Sequence, residues 1–378
     1  MENKLKILHV TEKLQAGGIE NFIMNVYRNI DRENLDFHFM VTRNENEFFE
    51  NEIKELGGKK FVIDSNKKDN VFRRVLKESK ELEKFLKENK YDVIHIHSGT
   101  PLRIFYLRAA KRAGVPKRIY HSHSAEVKGP HNGLKIKKII FKIIKKLFPI
   151  YATNYFACSQ WAAEWMYPKR LIEEQKVVVI NNGIDIEKFR YNEQTRKEYR
   201  GTLNIGNKKV IGHIGRFNHQ KNHTFLIDIF KAIYDKNKDY VLLLIGDGEL
   251  REKIENKVKN LGIEEGVKFL GVRNDVEKVM QAMDLFLLPS NYEGLPVVGI
   301  EAQATGLPII CSDNITNEVC ITENIKMISL DKTAEEWSDN IINVLEKFER
   351  KDTSEEIIKN GYNIEQVTEK IEKIYGDK

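Results

Sequence analysis

The stretch Asn291-Tyr292-Glu293-Gly294-Leu295-Pro296-Val297, running on to Glu301-Ala302 and closing with Gly306-Leu307-Pro308, decides how this chain is read. Residues 285–289 before it and 309–311 after it are apolar and strand-like. Pro296 suits the first position of a helix, and Gly306 with Pro308 reads as that helix's stop. The segment is therefore strand, loop, helix, strand. Gly294 lets the backbone approach a ligand with no Cβ in the way. Free N–H groups at the helix start, around Leu295 and Val297, face an anion, and the helix dipole favours a phosphate there. Glu293 stands beside that anion, and Glu301 lies further along the helix. Each carboxylate can accept two hydroxyl hydrogen bonds, so the pair suits a ligand with phosphates in the middle and a sugar at each end.

Strand-like runs alternate with helical patterns along almost all of the 378 residues, the mark of parallel α/β sheets. The length suits two domains. In the first half, strands are expected over 6–11, 37–42, 93–97, 118–121, 155–158 and 177–180. A helix is expected over 70–89, capped by Asn70, with Val71, Phe72, Val75, Leu82, Phe85 and Leu86 on its packed face. Asn181-Asn182-Gly183-Ile184-Asp185 breaks the pattern with a turn signal. The second half restarts with strands over 210–214, 241–245, 267–269, 285–288, 308–311 and 327–330. The expected domains are 1–183 and 184–362. A last helix over 363–378 carries Ile364, Val367, Ile371 and Ile374 on one face and packs across the domains. Two such units facing across a cleft would hold a ligand at the carboxyl ends of both sheets.

Hydrophobic residues make up 41% and charged residues 31%, a globular balance. A net charge of +6 with a pI near 8.8 is mild. Lysines and glutamates are interleaved, so nucleic-acid binding is not implied. Such a surface suits anionic ligands or an anionic membrane. Cys158, Cys311 and Cys320 show no metal-ligand spacing and read as reduced thiols. The N-terminal residues carry no apolar signal-peptide core, and no run of 18 apolar residues exists. A cytoplasmic protein is expected, peripheral to the membrane if lipid is touched.

The second half opens on His213-Ile214-Gly215-Arg216-Phe217-Asn218-His219-Gln220-Lys221-Asn222. Arg216 and Lys221 flank a strand-to-helix turn, as solvated loop cations or as the charge that stabilises a leaving diphosphate. Gly246 and Gly271 each end a strand in a tight turn, the second followed by Val272 and Arg273. Gln15-Ala16-Gly17-Gly18-Ile19-Glu20 links a strand to a helix and is no dinucleotide fingerprint. His95 with His97, and His121 with His123, cluster at strand ends. Such i, i+2 pairs can bind zinc, but no carboxylate or cysteine completes a site at convincing spacing. Over 134–148, Ile136, Ile139, Ile140, Ile143, Ile144, Leu147 and Phe148 form one stripe, and Lys135, Lys137, Lys138, Lys142, Lys145 and Lys146 the other face. The stripe packs inward, and the lysines face solvent or anionic lipid. No Asp-x-Asp motif occurs, so a metal-chelated diphosphate is not expected, and no cofactor or metal is called for.

Glu293 and Glu301 with seven residues between them, Gly-Arg-x4-Lys at Gly215–Lys221, and Gly-Gly-x-Glu at Gly17–Glu20 resemble the retaining glycosyltransferases of the group 1 or family 4 type. These have two facing Rossmann-like domains, the GT-B fold, and include enzymes of exopolysaccharide and capsule assembly. The resemblance covers nearly the whole chain. It implies an α/β fold, a nucleotide-sugar donor (a UDP-sugar), and a lipid-linked or saccharide acceptor. It assigns the donor diphosphate to Arg216, Lys221 and the N–H groups near Leu295 and Val297. Sugar hydroxyls fall to Glu293 and the ribose diol to Glu301. Gly17, Gly18, Gly215 and Gly246 border the donor, and the backbone at Val272 and Arg273 reads the base. His123, with His121 as the alternative, contacts the reacting sugar and shares charge. Two other readings remain open at this point: a nucleotide-sugar epimerase on the same scaffold, and a non-catalytic two-lobed binding protein.

Overall fold

A computed structural model describes residues 4–15, 17–43, 48–63, 69–123 and 134–377, with side chains in the last span from residue 139 onward. They form two compact units, one of residues 1–184 with 362–378 and one of residues 185–361. Among the described residues the first unit holds β1 (Leu5–Thr11), β2 (Leu35–Val41), β3 (Lys59–Val62), β4 (Val93–Ser98), β5 (Lys117–Ser122), β6 (Asn154–Ala157) and β7 (Val177–Val179). They lie parallel in the order β3-β2-β1-β4-β5-β6-β7. The second unit holds β8 (Lys209–Ile214), β9 (Tyr240–Ile245), β10 (Val267–Gly271), β11 (Leu285–Leu288), β12 (Ile309–Ser312) and β13 (Ile325–Ile328). They too are parallel, in the order β10-β9-β8-β11-β12-β13. This is the expected α/β architecture.

Helices cover both faces of each sheet, which is why β9, Tyr-Val-Leu-Leu-Leu-Ile, is buried at every position. The strand order reverses between β1 and β4 and again between β8 and β11. At such a reversal the loops beyond the carboxyl ends splay apart and leave a crevice. β3 was not expected from the sequence. Its Lys59-Lys60-Phe61-Val62 has no strand-like run because it is an edge strand, where lysines discourage pairing with other chains. β13 lies two residues earlier than expected.

The helix Val71–Glu88 is capped by Asn70, whose side chain accepts from the Arg73 N–H at 2.9 Å. Val75, Leu82 and Leu86 are buried, but Val71 and Phe72 are exposed. The packed face begins one turn in, at Val75. The C-terminal helix Ile364–Gly376 returns to the first unit. Ile364, Val367, Ile371 and Tyr375 join a core with Phe22, Phe37 and Ile119. The Ile184 N–H donates to the Tyr362 carbonyl at 2.8 Å and the Ile364 N–H to the Ile184 carbonyl at 3.0 Å. A Cβ on Gly183 would stand 2.9 Å from the Ile364 Cα, so this crossing needs a glycine.

The helix Leu134–Lys145 departs from the expected pattern. Phe141 and Ile144 are buried, with Phe148 just beyond, while Ile139, Ile140 and Ile143 are exposed. The inward face is thus rotated from the expected stripe, and the helix carries a second, solvent-facing apolar strip. Lys142 and Lys146 are exposed, but Lys145 sits 4.8 Å from the Trp165 ring centroid and packs against the protein. The Lys138 side chain lies outside the described residues. Pro149 does not end the helical path, because a short helix, Phe148–Tyr151, accepts it in its first turn. No helix of the described residues is long and apolar enough to cross a membrane.

Candidate functional site

β8 and β11 are neighbours, with Gly212 opposite Phe286. The loops that follow them therefore meet at the strand-order reversal. The Asn291 N–H donates to the Gln220 carbonyl at 2.8 Å, and the Asn222 side chain donates to the Pro289 carbonyl at 3.1 Å. Across this seam Lys221 Nζ lies 2.7 Å from a carboxylate oxygen of Glu293. Gln220 donates to the same carboxylate at 2.8 Å, and the Ser290 hydroxyl at 3.1 Å. Glu293 is buried, and these three donors satisfy its carboxylate oxygens there. The stem of Lys221 crosses the face of Gly215, where a Cβ would press on it at 2.9 Å. Gly246 has φ +127°, and a Cβ there would collide with the Gly215 carbonyl.

Arg216 is exposed, and its guanidinium has no partner among the described residues. The helix Val297–Ala304 begins after Pro296 with no side-chain cap, so its first N–H groups stay open to an acceptor. Gly294 and Leu295 lie half-buried in the loop before it. The Glu301 carboxyl is half-buried and has no hydrogen-bond partner among the described residues. Burial pushes it up to about 7; Glu277 adds to the shift by repulsion and Lys221 opposes it. The second unit thus holds a hydrogen-bonded carboxylate paired with a lysine and, further along the helix, a carboxyl with no donor among the described residues. Val272 is exposed, and Arg273 forks onto Asp275 at 2.7 and 2.6 Å. Gly17 is the extended residue before the helix Gly18–Asn29, and a Cβ on Gly18 would meet open space. Glu20 is buried. The sequence reading missed Gln220, Ser290 and Glu277. Gln220 and Ser290 adjoin residues it singled out, but nothing local says they turn toward Glu293.

In the first unit the strand register gathers the histidines. His9 lies opposite His95, and His97 opposite His121. With a strand period of two, these four share one sheet face. His123 follows, half-buried, just past β5. Phe22 covers His97, His121 and His123, with ring centroids 6.1, 5.1 and 5.4 Å away. Burial holds all five imidazoles below their usual range, His9 and His123 at about 3. His9 and Tyr375 complete a cluster that sequence spacing did not show. Either His9, His95 and His97 or His97, His121 and His123 could bring three ring nitrogens within 4.8 Å of one another. The two pairs therefore complete metal-capable triads without the carboxylate or cysteine that the sequence lacked.

Comparison with known proteins agrees with this geometry. Residues 195–364 match the family described as "Glycosyl transferases group 1", and residues 16–188 match "Glycosyltransferase Family 4". A Bacillus subtilis protein named as a glycosyltransferase, EpsF, is 33% identical over 89% of this chain and 86% of its own length. The UDP-Gal:α-D-GlcNAc-diphosphoundecaprenol α-1,3-galactosyltransferase of Escherichia coli is 28% identical over 99% of this chain and 97% of its own. Among solved structures, Anabaena HepE in complex with UDP and glucose superposes with a TM-score of 0.78 at 19% identity, covering 99% of this chain and 100% of its own. This last likeness shows the fold. The chain is a glycosyltransferase with the GT-B fold and belongs to the group 1, family 4 enzymes.

Proposed function

We propose that the enzyme is a retaining, metal-independent transferase that moves a sugar from a UDP-sugar to a lipid-linked or saccharide acceptor in cell-surface polysaccharide assembly. The observation that carries this reading is the seam of the second unit. Among the described residues Arg216 has no partner, Lys221 is held on Glu293, and the helix at Val297 opens its N–H groups after the same loop. When the sugar C1–O bond to the diphosphate breaks, negative charge gathers on the departing phosphate oxygen. Fixed cations and N–H groups stabilise that charge more than the intact donor. The acceptor hydroxyl attacks C1 on the face the diphosphate leaves, and its proton passes to the departing phosphate oxygen.

Glu293, already holding three donors, keeps one lone-pair site for a hydroxyl of the transferred sugar. Glu301 accepts from the ribose diol. Val272 and Arg273 offer backbone groups to the base, and Gly17 and Gly18 border the donor. His123 contacts the transferred sugar as a neutral imidazole. Its depressed basicity narrows the expected role from charge sharing to hydrogen bonding. The HepE complexes and the UDP-Gal enzyme of E. coli support UDP, and the diphosphoundecaprenol acceptor of the latter supports a lipid-linked substrate. A lipid acceptor suits a cytoplasmic enzyme resting on the membrane's inner face, with Ile139, Ile140 and Ile143 entering the interface beside Lys142.

The test is incubation of the full chain with UDP-sugars, with and without a polyprenyl-diphosphate sugar. We expect a saccharide-extended lipid by mass spectrometry and the α configuration of the donor retained by NMR. Release of UDP and a free sugar derivative, undiminished and unextended with any acceptor, is the epimerase outcome and refutes transfer.

A further inference from the structure

Three charges of the first unit meet where its strand order reverses. Glu12 follows β1 directly, Arg43 lies two residues past β2, and Arg103 ends the 3-10 turn Pro101–Arg103 that follows β4. β2, β1 and β4 are neighbours in the sheet, so all three charges stand on its carboxyl edge, with Glu12 and Arg103 flanking the reversal. Open α/β sheets take their ligands at such a crevice. One oxygen of Glu12 pairs with Arg43, and the other lies 3.6 Å from Arg103.

Arg103 is left unsatisfied by this arrangement. Its side chain is only 11% exposed, yet 3.6 Å is beyond hydrogen-bond length, and among the described residues its guanidinium makes no hydrogen bond. Its other contact is the Tyr106 ring, with the centroid 5.8 Å away. Five N–H donors are thus nearly buried without an acceptor, which is costly unless one arrives from outside the chain. One carboxylate between two guanidiniums also leaves one positive charge uncompensated. A diphosphate corrects both deficits. It has the oxygens to meet two guanidiniums and carries more than one negative charge. Glu12 yields its place to it, and at 39% exposure the carboxylate has solvent to turn into.

The surroundings say what the diphosphate is attached to. The turn has the helices Val71–Glu88 and Leu134–Lys145 as neighbours. The first exposes Val71 and Phe72, and the second exposes Ile139, Ile140 and Ile143. The Phe72 ring meets that of Phe105, two residues past Arg103, with centroids 5.7 Å apart. An oxyanion site with exposed apolar side chains on two neighbouring helices fits a diphosphate that carries a hydrocarbon chain.

We infer that Arg103 and Arg43 form the subsite for the diphosphate of a lipid-linked acceptor, with Glu12 holding the place of a phosphate until the acceptor arrives. This decides between the two acceptor classes named above, in favour of the lipid-linked one. That the diphosphate belongs to an acceptor rests on the transferase reading. That this edge binds a prenyl diphosphate does not.

Calorimetry of the full chain with farnesyl diphosphate reads the subsite without turnover, with UDP at saturation so that the second unit is occupied. We expect one site. Arg103→Met keeps the apolar stem and removes the donors, and should weaken binding roughly 10- to 100-fold, the worth of a charge-assisted hydrogen bond. Glu12→Gln should act in the opposite direction and tighten binding severalfold, because it removes the competing carboxylate. Damage to the fold cannot mimic that gain. UDP affinity should hold in both variants. Inorganic pyrophosphate and farnesol should each bind more weakly than farnesyl diphosphate. Transfer gives a second readout. Arg103→Met should lower the ratio of kcat/KM for a polyprenyl-diphosphate sugar to that for the methyl glycoside of the same sugar. Wild-type affinity in Arg103→Met, or weaker binding of farnesyl diphosphate by Glu12→Gln, overturns the inference. So does pyrophosphate bound as tightly as farnesyl diphosphate, which would leave an anion site with no lipid. A protein that binds farnesyl diphosphate as expected but transfers no sugar would sink the transferase reading and leave the subsite standing.

Discussion

The two units put the same residue at the same point of their sheets and use it differently. His9 is the fifth residue of β1, and His213 is the fifth of β8. Both are buried beside the strand-order reversal, and burial drives both below the usual imidazole range. His213 donates through Nδ1 to the Leu287 carbonyl at 2.8 Å, and the matter ends there. His9 finds no carbonyl and instead links to further imidazoles and Tyr375. From this divergence follow two carboxyl edges of opposite kind. The first unit's edge centres on neutral, hydrogen-bonded imidazoles, and its charges, Glu12 with Arg43 and Arg103, are paired with one another. The second unit's edge is charged, with Arg216, Lys221 and Glu293. The topology sets where ligands go; the side chains at its loops set what chemistry is done.

The largest expected effect is on the charged edge. Lys221→Ala leaves the buried Glu293 carboxylate without its cation, and losing one partner of a buried pair costs about 3–5 kcal/mol. Gln220 and Ser290 still donate to it, so the lower end of that range is expected. Adding Glu293→Gln should recover most of the loss. Urea unfolding of the two variants checks this. A single variant that loses less than about 1 kcal/mol, within the range for exposed pairs, would mean that the seam is wetter than its geometry implies.

Next comes turnover. Arg216 has no partner among the described residues, so Arg216→Ala should leave the melting temperature unchanged. It should lower kcat by roughly 10²- to 10³-fold, as loss of a preorganised group at a developing charge does. His123→Ala, on the imidazole edge, removes one uncharged hydrogen bond and should cost about tenfold. Initial rates on the pair sharpen the contrast between the edges, and a larger loss at His123 than at Arg216 would break it.

Glu301 supplies a titration on the charged edge. Its folded carboxyl is raised to about 7 from an ordinary carboxyl value. Between about 4.3 and 7 the folded state binds more protons than the unfolded one. This group's contribution to stability therefore falls as pH rises through that window and levels off above it. Binding runs the other way, because ribose hydroxyls donate to the ionised form. UDP-sugar affinity should rise as pH rises through 7 and then plateau. Glu301→Gln should flatten that rise and, above pH 7, weaken UDP and UDP-sugar alike by roughly 1.5–3 kcal/mol. Glu293→Gln should leave UDP affinity nearly unchanged and lower turnover. Calorimetric titrations of a UDP-sugar from pH 5.5 to 8.5 read the first effect without interference from a free terminal phosphate. Equal weakening of UDP by the two substitutions would put the sugar elsewhere.

What the sequence disclosed follows from how local each feature is. The helix Val297–Ala304 with its glutamates, and the turn that carries Arg216 and Lys221, are short segments whose glycines and prolines announce them. The alternation of strands and helices likewise gave both sheets except β3, whose edge position relaxes the demand for apolar residues. Contacts that depend on distant partners stayed hidden. Ser290 and Gln220 turn toward Glu293 only because β8 and β11 are neighbours. His95 reaches Tyr375 across 280 residues of chain. The helix Leu134–Lys145 misled because isoleucines at helical spacing mark an apolar face without saying which part of it is covered. Here Phe141, absent from the expected stripe, goes inward, and Ile139, Ile140 and Ile143 do not.

That exposed strip gives a smaller prediction for the first unit. A half-exposed isoleucine gains on the order of 1 kcal/mol on leaving water, and a lysine near anionic lipid gains about as much. Ile139→Glu with Ile143→Glu should therefore weaken vesicle binding at least as strongly as Lys142→Glu with Lys146→Glu. Only the lysine contribution should fade with salt. Melting temperatures should hold in both pairs, since all four side chains are exposed. Sedimentation with vesicles of anionic and neutral lipid separates the two contributions. Binding that ignores both pairs would leave the strip without lipid contact.

The smallest effect expected is none at all, and it tests both edges at once. The charged edge stabilises the diphosphate with Arg216, Lys221 and the N–H groups of the helix Val297–Ala304, and no Asp-x-Asp pair is available to chelate a cation there. The imidazole edge has histidine triads close enough to hold a metal, yet their rings are already hydrogen-bonded to one another. Turnover should therefore survive EDTA. Two failures are possible, and they point to different units. Loss of activity restored by Mg²⁺ or Mn²⁺, which prefer oxygen ligands, would mean that a metal-bound diphosphate replaces the cation scheme of the second unit. Loss restored by Zn²⁺, which imidazole suits, would place the metal on the first unit's histidines. That result would take the histidines away from contact with the sugar and leave Arg216 and Lys221 untouched.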